Sequence, residues 1–173
     1  MPKNKFLTAI EEGDLQTVKT LLFDSDNNKF DMEGALITAA DYGHIEIVRF
    51  LIQNNTDINH INSTKDTALT LAAEQGHTEI VNLLITNGAN VNYINKNYDT
   101  PLLLATKKGH IKIVNLLITN GANVNHKTKF GNTALIRAQK QKHTKVEKIL
   151  TKQCSLESNK MKSMQLIIII NHQ

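Results

Sequence analysis

The sequence is poor in several residue types that small secreted and membrane proteins rely on. It has no tryptophan, two prolines, one cysteine (Cys154) and only two arginines, Arg49 and Arg137, in 173 residues. A single cysteine excludes an internal disulfide framework and is typical of a reducing compartment. The longest apolar run, Leu166 to Ile170, is far shorter than the ~20 residues that span a bilayer. The first residues lack the apolar stretch of a secretory signal. We therefore expect a soluble, cytoplasmic protein without a transmembrane segment.

Charge is distributed unevenly along the chain. Residues 1–86 carry six basic and thirteen acidic side chains, whereas residues 87–173 carry fourteen and three. A basic half of this kind could neutralise the phosphates of nucleic acid or of an anionic membrane. Its cations are nearly all lysines, with few aromatic residues for base stacking and little arginine for base readout. Nucleic-acid or membrane binding is therefore an alternative function. This composition favours it less than binding to another protein.

A period of 33 residues organises most of the chain. The twelve residues VNLLITNGANVN occur at 81–92 and again at 114–125. Blocks that end in histidine share the same offset, at 39–44, 72–77, 105–110 and 138–143. Periods of roughly 20–50 residues indicate a repeat protein, in which each unit buries its apolar face against its neighbours. The predicted segments are a degenerate capping repeat at 1–28, repeats at 29–61, 62–94 and 95–127, a C-terminal capping repeat at 128–153, and an irregular tail at 154–173.

Each repeat reads as two short helices joined by a turn. Threonine, a good N-cap, stands where the first helix begins, at Thr67, Thr100 and Thr133. Pro101 occupies the first helical position, where its missing N–H costs nothing. Glycine closes the first helix in a left-handed conformation, at Gly43, Gly76 and Gly109. The second helix carries the aliphatic stripe and ends near Gly88 and Gly121, with Asn55 at the equivalent position of the preceding repeat.

This pattern resembles the ankyrin repeat, on residues Thr100-Pro101-Leu102, Gly76-His77, Ile80-Val81 and Gly88-Ala89-Asn90-Val91-Asn92. The resemblance covers residues 4–153 and implies an all-α solenoid of stacked antiparallel helix pairs, with β-hairpin or loop fingers on one side. Lys65 and Tyr98 replace the usual finger glycine, and Lys142 replaces the glycine between the helices of the last repeat. Thr70, Leu103 and Ile136 replace the usual histidine of the first helix, so an inter-repeat hydrogen bond is expected to be missing.

The resemblance also implies where a partner would bind, since ankyrin proteins usually contact partners through the concave side, with finger tips and the exposed ends of first helices. Carried onto this sequence, the candidate partner-binding residues are Phe30, Asp41, Tyr42, Glu74, Gln75, Lys96, Tyr98, Lys107, Lys108, Phe130 and Lys140. Their charge changes from acidic in the early repeats to basic in the later ones. The aromatic members are candidate anchors, because aromatic residues are enriched among binding hot spots. The prediction is a monomeric scaffold that binds another protein.

No constellation in the sequence points to catalysis, a cofactor or a metal. Four histidines recur at the repeat spacing, but stacked helices lie roughly 8–10 Å apart whereas zinc–nitrogen bonds are about 2.0–2.1 Å. Structural hydrogen bonds in the turns are the expected role of His44, His77, His110 and His143. The acidic segment 24–28 lacks the glycine and glutamate of a calcium loop. Cys154 has no base at motif spacing. We predict no enzyme, no cofactor and no small-molecule substrate.

Two features leave the biological setting open. The tail loses the repeat register, and its run of leucine and isoleucine could be a docking strand, part of a further repeat or a translated remnant. A functionless relic of repeat duplication is therefore a third alternative. Asparagine, isoleucine and lysine together make up 57 residues, and their codons are AT-rich. This composition is compatible with a microbe or virus that lives inside cells, and with action in a host cytosol after non-classical export.

Overall fold

A computed structural model describes residues 5–23 and 30–171, with side chains described as far as Ser163. These residues form ten helices, all of them α-helical: α1 (Lys5–Glu12), α2 (Leu15–Phe23), α3 (Met32–Tyr42), α4 (Ile45–Gln53), α5 (Ala68–Gln75), α6 (Thr78–Thr86), α7 (Pro101–Lys108), α8 (Ile111–Thr119), α9 (Ala134–Lys140) and α10 (Thr144–Asn171). The acidic segment 24–28 lies outside the described residues.

The helices form a stack of pairs, as the repeat period predicts. The inner helices α1, α3, α5, α7 and α9 pack one on the next, and each also packs against the helix that follows it in the chain. The outer helices α4, α6, α8 and α10 make a second, looser layer. The predicted all-α solenoid of helix pairs is therefore confirmed.

The core runs the length of the stack between the two layers. Alanines of the inner helices, such as Ala39, Ala72, Ala105 and Ala138, are completely buried. Their small side chains let successive inner helices approach closely. The outer helices bury their aliphatic stripe, whose members in three repeats are Ile47, Val48, Leu51, Ile80, Val81, Leu84, Ile113, Val114 and Leu117. Helices of this length are marginal alone, so this shared core supplies their stability.

The inner helices begin as the sequence predicts. Thr67, Thr100 and Thr133 have extended backbone, and the hydroxyl of each accepts a hydrogen bond from the N–H three residues later. Pro101 occupies the first turn of α7. At α5 the cap is reciprocal, because the Thr67 N–H also donates to Thr70 Oγ1 at 2.8 Å. Thr70, which stands where the family usually has histidine, thus completes a cap within its own repeat.

Histidines join each repeat to the one before it. The inner helix ends on a left-handed glycine at Gly43, Gly76 and Gly109, as predicted. The imidazole of the next repeat lies against that glycine and its Nε2 bonds to a nearby backbone carbonyl: His77 to Asp41 O at 3.0 Å, His110 to Glu74 O at 3.0 Å and His143 to Lys107 O at 3.1 Å. His44 makes the same contact with Glu11 O at 2.8 Å. The structural interpretation of the histidines therefore matches their observed contacts.

The fingers are tight turns, and the described residues contain no β-strand. In the finger at residues 95–99, Asn95 N–H donates to Asp99 O at 3.0 Å and Tyr98 N–H donates to Asn95 O at 3.0 Å. Neighbouring fingers are bonded, since Asn95 Nδ2 donates to Asp66 Oδ1 at 2.9 Å and the Tyr93 hydroxyl donates to Lys65 O at 3.1 Å, while His126 Nε2 bonds to Tyr98 O at 3.1 Å. The fingers are therefore loops that bond to one another in a row along one edge of the stack.

Residues 155–171 are helical, which corrects the expectation of an irregular tail. Helix α10 continues without interruption from Thr144 to Asn171. The sequence has no glycine or proline after Gly131, so neither of these helix-breaking residues interrupts α10. Val146 and Leu150, in the first part of α10, are buried in the stack, while most side chains described between residues 155 and 163 are exposed. A terminal helix covered on one side need not keep the repeat register, which is why periodicity did not reveal it.

Candidate interaction surface

The family resemblance places the concave side at the ends of the inner helices and the fingers beside them. Three aromatic side chains predicted as anchors are prominent there: Tyr42 is 54% exposed, Tyr98 is 50% exposed and Phe130 is 85% exposed. Tyr42 closes α3, whereas Tyr98 and Phe130 lie in successive fingers. Such exposure leaves most of each ring available to a partner.

Phe30 differs from the other predicted anchors. Its ring stacks on Phe6, with centroids 4.3 Å apart, and packs against the buried cluster of the N-terminal repeats. The aromatic ring therefore contributes to the core between α1 and α3.

The predicted polar residues contact one another across repeats. Gln75 Nε2 donates to Asp41 Oδ1 at 2.8 Å, so the ends of α3 and α5 are bonded. One repeat further on, Lys107 Nζ lies 3.6 Å from Glu74 Oε1. Asp41, Glu74 and Lys107 each lie two residues before a left-handed glycine, and Gln75 lies one residue before Gly76. The polar contacts therefore form a row along the inner helices.

The C-terminal part of this surface is positively charged. Lys96, Lys107, Lys108, Lys129 and Lys140 are all exposed. Among them, Lys107 alone has a carboxylate of the described residues within ion-pair distance, and Lys140 Nζ donates instead to Asn132 Oδ1 at 2.8 Å. The sequence predicts that the charge of the candidate residues changes from negative to positive along the repeats. The positive part of this pattern coincides with exposed lysines on the later repeats.

Arg137 also lies in this region, although the repeat pattern did not indicate it as a candidate residue. Its Nη2 lies 2.7 Å from Asp99 Oδ1, and both side chains are largely buried. Its Nη1 also donates to Leu103 O at 3.3 Å. This arginine therefore ties α9 to α7 and to the preceding finger. The two residues are 38 positions apart, so the 33-residue period gives no signal for the pair.

The described residues contain no arrangement suited to catalysis by a thiol or to metal binding. Cys154 is half-buried, and desolvation, with a smaller contribution from Glu157, raises the pKa of its thiol. A raised pKa lowers the thiolate fraction at neutral pH and makes the sulfur a poor nucleophile. No group of three or more histidine, cysteine, aspartate or glutamate side chains in the described part of the chain could hold a metal ion.

Comparison with known families accounts for the repeat architecture. A family model for ankyrin repeats, spanning three copies, matches residues 6–95 and 84–161. The protein therefore belongs to the ankyrin-repeat family, whose members generally serve as protein–protein interaction modules. A search of curated proteins found no match. Across residues 5–23 and 30–171, no helix is both long and apolar enough to cross a membrane.

Proposed function

We propose that this protein is a non-catalytic scaffold that binds another protein through its concave face. The observation that carries the proposal is the grouping of exposed aromatic and charged side chains on the inner helix ends and fingers. Tyr42, Glu74, Tyr98, Lys107 and Lys108 are its main contributors. Aromatic rings that are half exposed offer large contact area at little entropic cost.

The charge polarity of the face suggests how a partner would be oriented. Acidic Asp41 and Glu74 lie on earlier repeats, and the exposed lysines lie on later ones. Opposite charges on a partner would speed its encounter and set its direction along the stack more than they would tighten the final complex. The association rate is therefore expected to fall as ionic strength rises, because salt screens exposed charges.

A quantitative pull-down from lysate tests the proposal. The bait is the full chain, compared with a variant in which Tyr42, Glu74, Tyr98, Lys107 and Lys108 are replaced by alanine. The matched control replaces five exposed residues of the outer helices by alanine: Arg49, Glu79, Asn82, Lys112 and Asn115. Thermal unfolding of all three proteins establishes that the surfaces, and not the fold, have been changed. Each pull-down is repeated after nuclease treatment.

The proposal requires that the wild type and the outer-helix variant pull down one or more proteins that the concave-face variant does not. This difference should be the same with and without nuclease. Equal recovery by the two alanine variants would contradict it. Recovery that depends on nucleic acid and disappears at high salt would favour the basic-patch alternative. An absence of bound protein in all relevant lysates would favour the relic of repeat duplication.

A further inference from the structure

A small pocket opens on the concave face between α7 and α9. Its volume is about 250 Å³, which is below the roughly 300–1,000 Å³ of pockets that take drug-sized ligands. A pocket of this size suits a small polar group, such as the end of one side chain. The pocket is lined by Asp99, Lys107, Asn132, Arg137, Lys140 and Gln141.

The charges in this pocket do not cancel. Three cations and one carboxylate line it, and the carboxylate of Asp99 is already engaged by Arg137 at 2.7 Å. The ion pair forms a fixed, largely buried wall of the pocket, because Arg137 is also bonded to the backbone of α7. Lys107 and Lys140 therefore provide the positive charge that a ligand would meet.

Both ammonium groups retain hydrogen-bonding capacity. Lys140 uses one N–H on Asn132 Oδ1, and an ammonium group has three donors. Lys107 lies 3.6 Å from Glu74 Oε1, which is an ion pair at the edge of hydrogen-bond distance. The Lys107 side chain is also 48% exposed. An incoming anion can thus be held between the two lysines without dismantling the buried Arg137–Asp99 pair.

We infer that this pocket receives the carboxylate of a glutamate or aspartate side chain from the partner protein. The inference rests on the proposed function and names the chemistry of one contact within it. A carboxylate is favoured over a phosphate because Asp99 already pairs with Arg137 and Glu74 with Lys107, which leaves one uncompensated lysine charge for a monoanion to match. A neutral amide could accept hydrogen bonds from the two lysines but would lack the attraction between opposite charges that a carboxylate adds.

Selection from a displayed library of random linear peptides on the full-length protein tests this assignment. Selected peptides should share an acidic residue at one position. Replacing that glutamate by glutamine should weaken binding to the wild type about tenfold, the loss typical of one charge-assisted contact. The same replacement should change little in the Lys107→Met, Lys140→Met double variant. Coupling of this kind identifies the two lysines as the partners of the carboxylate.

A variant with Lys112→Met and Lys152→Met, both exposed on outer helices, is the matched control for lost charge. It should bind the selected peptides as the wild type does and keep their preference for glutamate. Peptides without a shared acid, or with equal affinity for the Lys107/Lys140 variant, would overturn the pocket assignment. Tighter binding of a phosphoserine peptide than of the glutamate peptide would overturn the choice of carboxylate.

The same peptides distinguish this inference from the function on which it rests. Peptides that ignore the two pocket lysines but lose affinity when Tyr42 and Tyr98 are replaced by alanine would refute the pocket and support the concave face. Peptides that are unaffected by either pair of changes would contradict both.

Discussion

Four non-glycine residues have backbone conformations that glycine usually supplies. Asn55, Lys65, Tyr98 and Lys142 have φ angles of 60°, 62°, 62° and 59°. For an L-residue the left-handed region costs roughly 1–2 kcal/mol, with asparagine the most tolerant of the four. Their glycine counterparts in other repeats, Gly88, Gly121, Gly131 and Gly109, have positive φ as well. The turn geometry is therefore imposed by the stacked helices and is kept even where the local residue disfavours it.

Replacing Lys142 by glycine should stabilise the protein. Lys142 is exposed and its backbone is left-handed, so the glycine variant should raise the free energy of unfolding by about 1 kcal/mol. The matched control is Lys148→Gly, at an exposed position inside α10. This variant should lower the free energy of unfolding by about 1 kcal/mol. Urea unfolding of the three proteins gives both values. Destabilisation by both glycines would show that Lys142 makes contacts that outweigh its strain.

Cys154 should react slowly with alkylating agents. Desolvation and, to a lesser extent, Glu157 raise the pKa of its thiol, so the thiolate fraction at pH 7.5 is smaller than in an unfolded chain. Iodoacetamide should therefore modify the native protein more slowly than the urea-unfolded protein. Glu157→Gln should speed the native reaction, since it removes the charge that disfavours the thiolate. A native rate equal to the unfolded rate would contradict the burial of this thiol.

At the scale of the elements, the joint between repeats is a glycine with a histidine packed on it. A Cβ on Gly76 would lie 2.8 Å from His110 Cε1, whereas a Cβ on Gly88 would meet no atom within 4 Å. Both glycines have similar positive φ angles, 95° and 91°. Gly76 is therefore required for two reasons, its backbone conformation and the space taken by the next repeat's imidazole.

Alanine at these two glycines should separate the two requirements. Gly88→Ala should cost about 1–2 kcal/mol of unfolding free energy, from backbone strain alone. Gly76→Ala should cost about 2–4 kcal/mol, because overpacking against His110 adds to the strain. In a background of His110→Ala, the two glycine substitutions should have nearly equal effects. Thermal or urea denaturation gives the free energy of unfolding of each variant, with and without His110→Ala. If Gly76→Ala and Gly88→Ala lowered it equally in the wild-type background, the packing role of the imidazole would be refuted.

Some elements could be predicted from the sequence because their cause is local and repeated. Threonine caps, left-handed glycines and buried alanines follow from the chemistry of single residues at a fixed period. The Arg137–Asp99 pair has no such basis, since nothing equivalent to Arg137 occurs in the earlier repeats. The finger position of Phe30 predicts a surface residue, yet its ring packs on Phe6 of a repeat with a different spacing. The predicted surface depends on which side chains reach across repeats, and a repeat pattern does not contain that information.

At the scale of the molecule, stability is shared between neighbouring repeats. Helices α3, α5 and α7 each pack against an inner helix on both sides, whereas α1 and α9 have an inner neighbour on one side. In a stack of this kind, the free energy of the whole is approximately a sum of repeat and interface contributions. Opening of a terminal repeat breaks one interface, and opening of a central repeat breaks two.

Native-state hydrogen exchange should reflect this arrangement. Backbone amides in α3, α5 and α7 should exchange more slowly than those in α1 and α9, because their exposure requires the loss of more interfaces. Exchange measured by NMR at several low urea concentrations would resolve the order. Slowest exchange in α9 would show that α10 stabilises the C-terminal end more than the inner stack does.

The identical blocks at 81–92 and 114–125 have a consequence for the length of the protein. Removing residues 90–122 joins Ala89 to Asn123 and leaves the sequence around the junction unchanged. In the shortened chain, Arg137 would face Asp66 in place of Asp99, and His143 would lie against Gly76 in place of Gly109. Glu74 would replace Lys107, whereas Arg137 and Lys140 would stay, so the pocket would have two cations and two carboxylates and no net positive charge. We expect this shortened protein to fold, which circular dichroism would monitor. Recombination between these blocks could therefore change the number of repeats and the ligand preference in one genetic step.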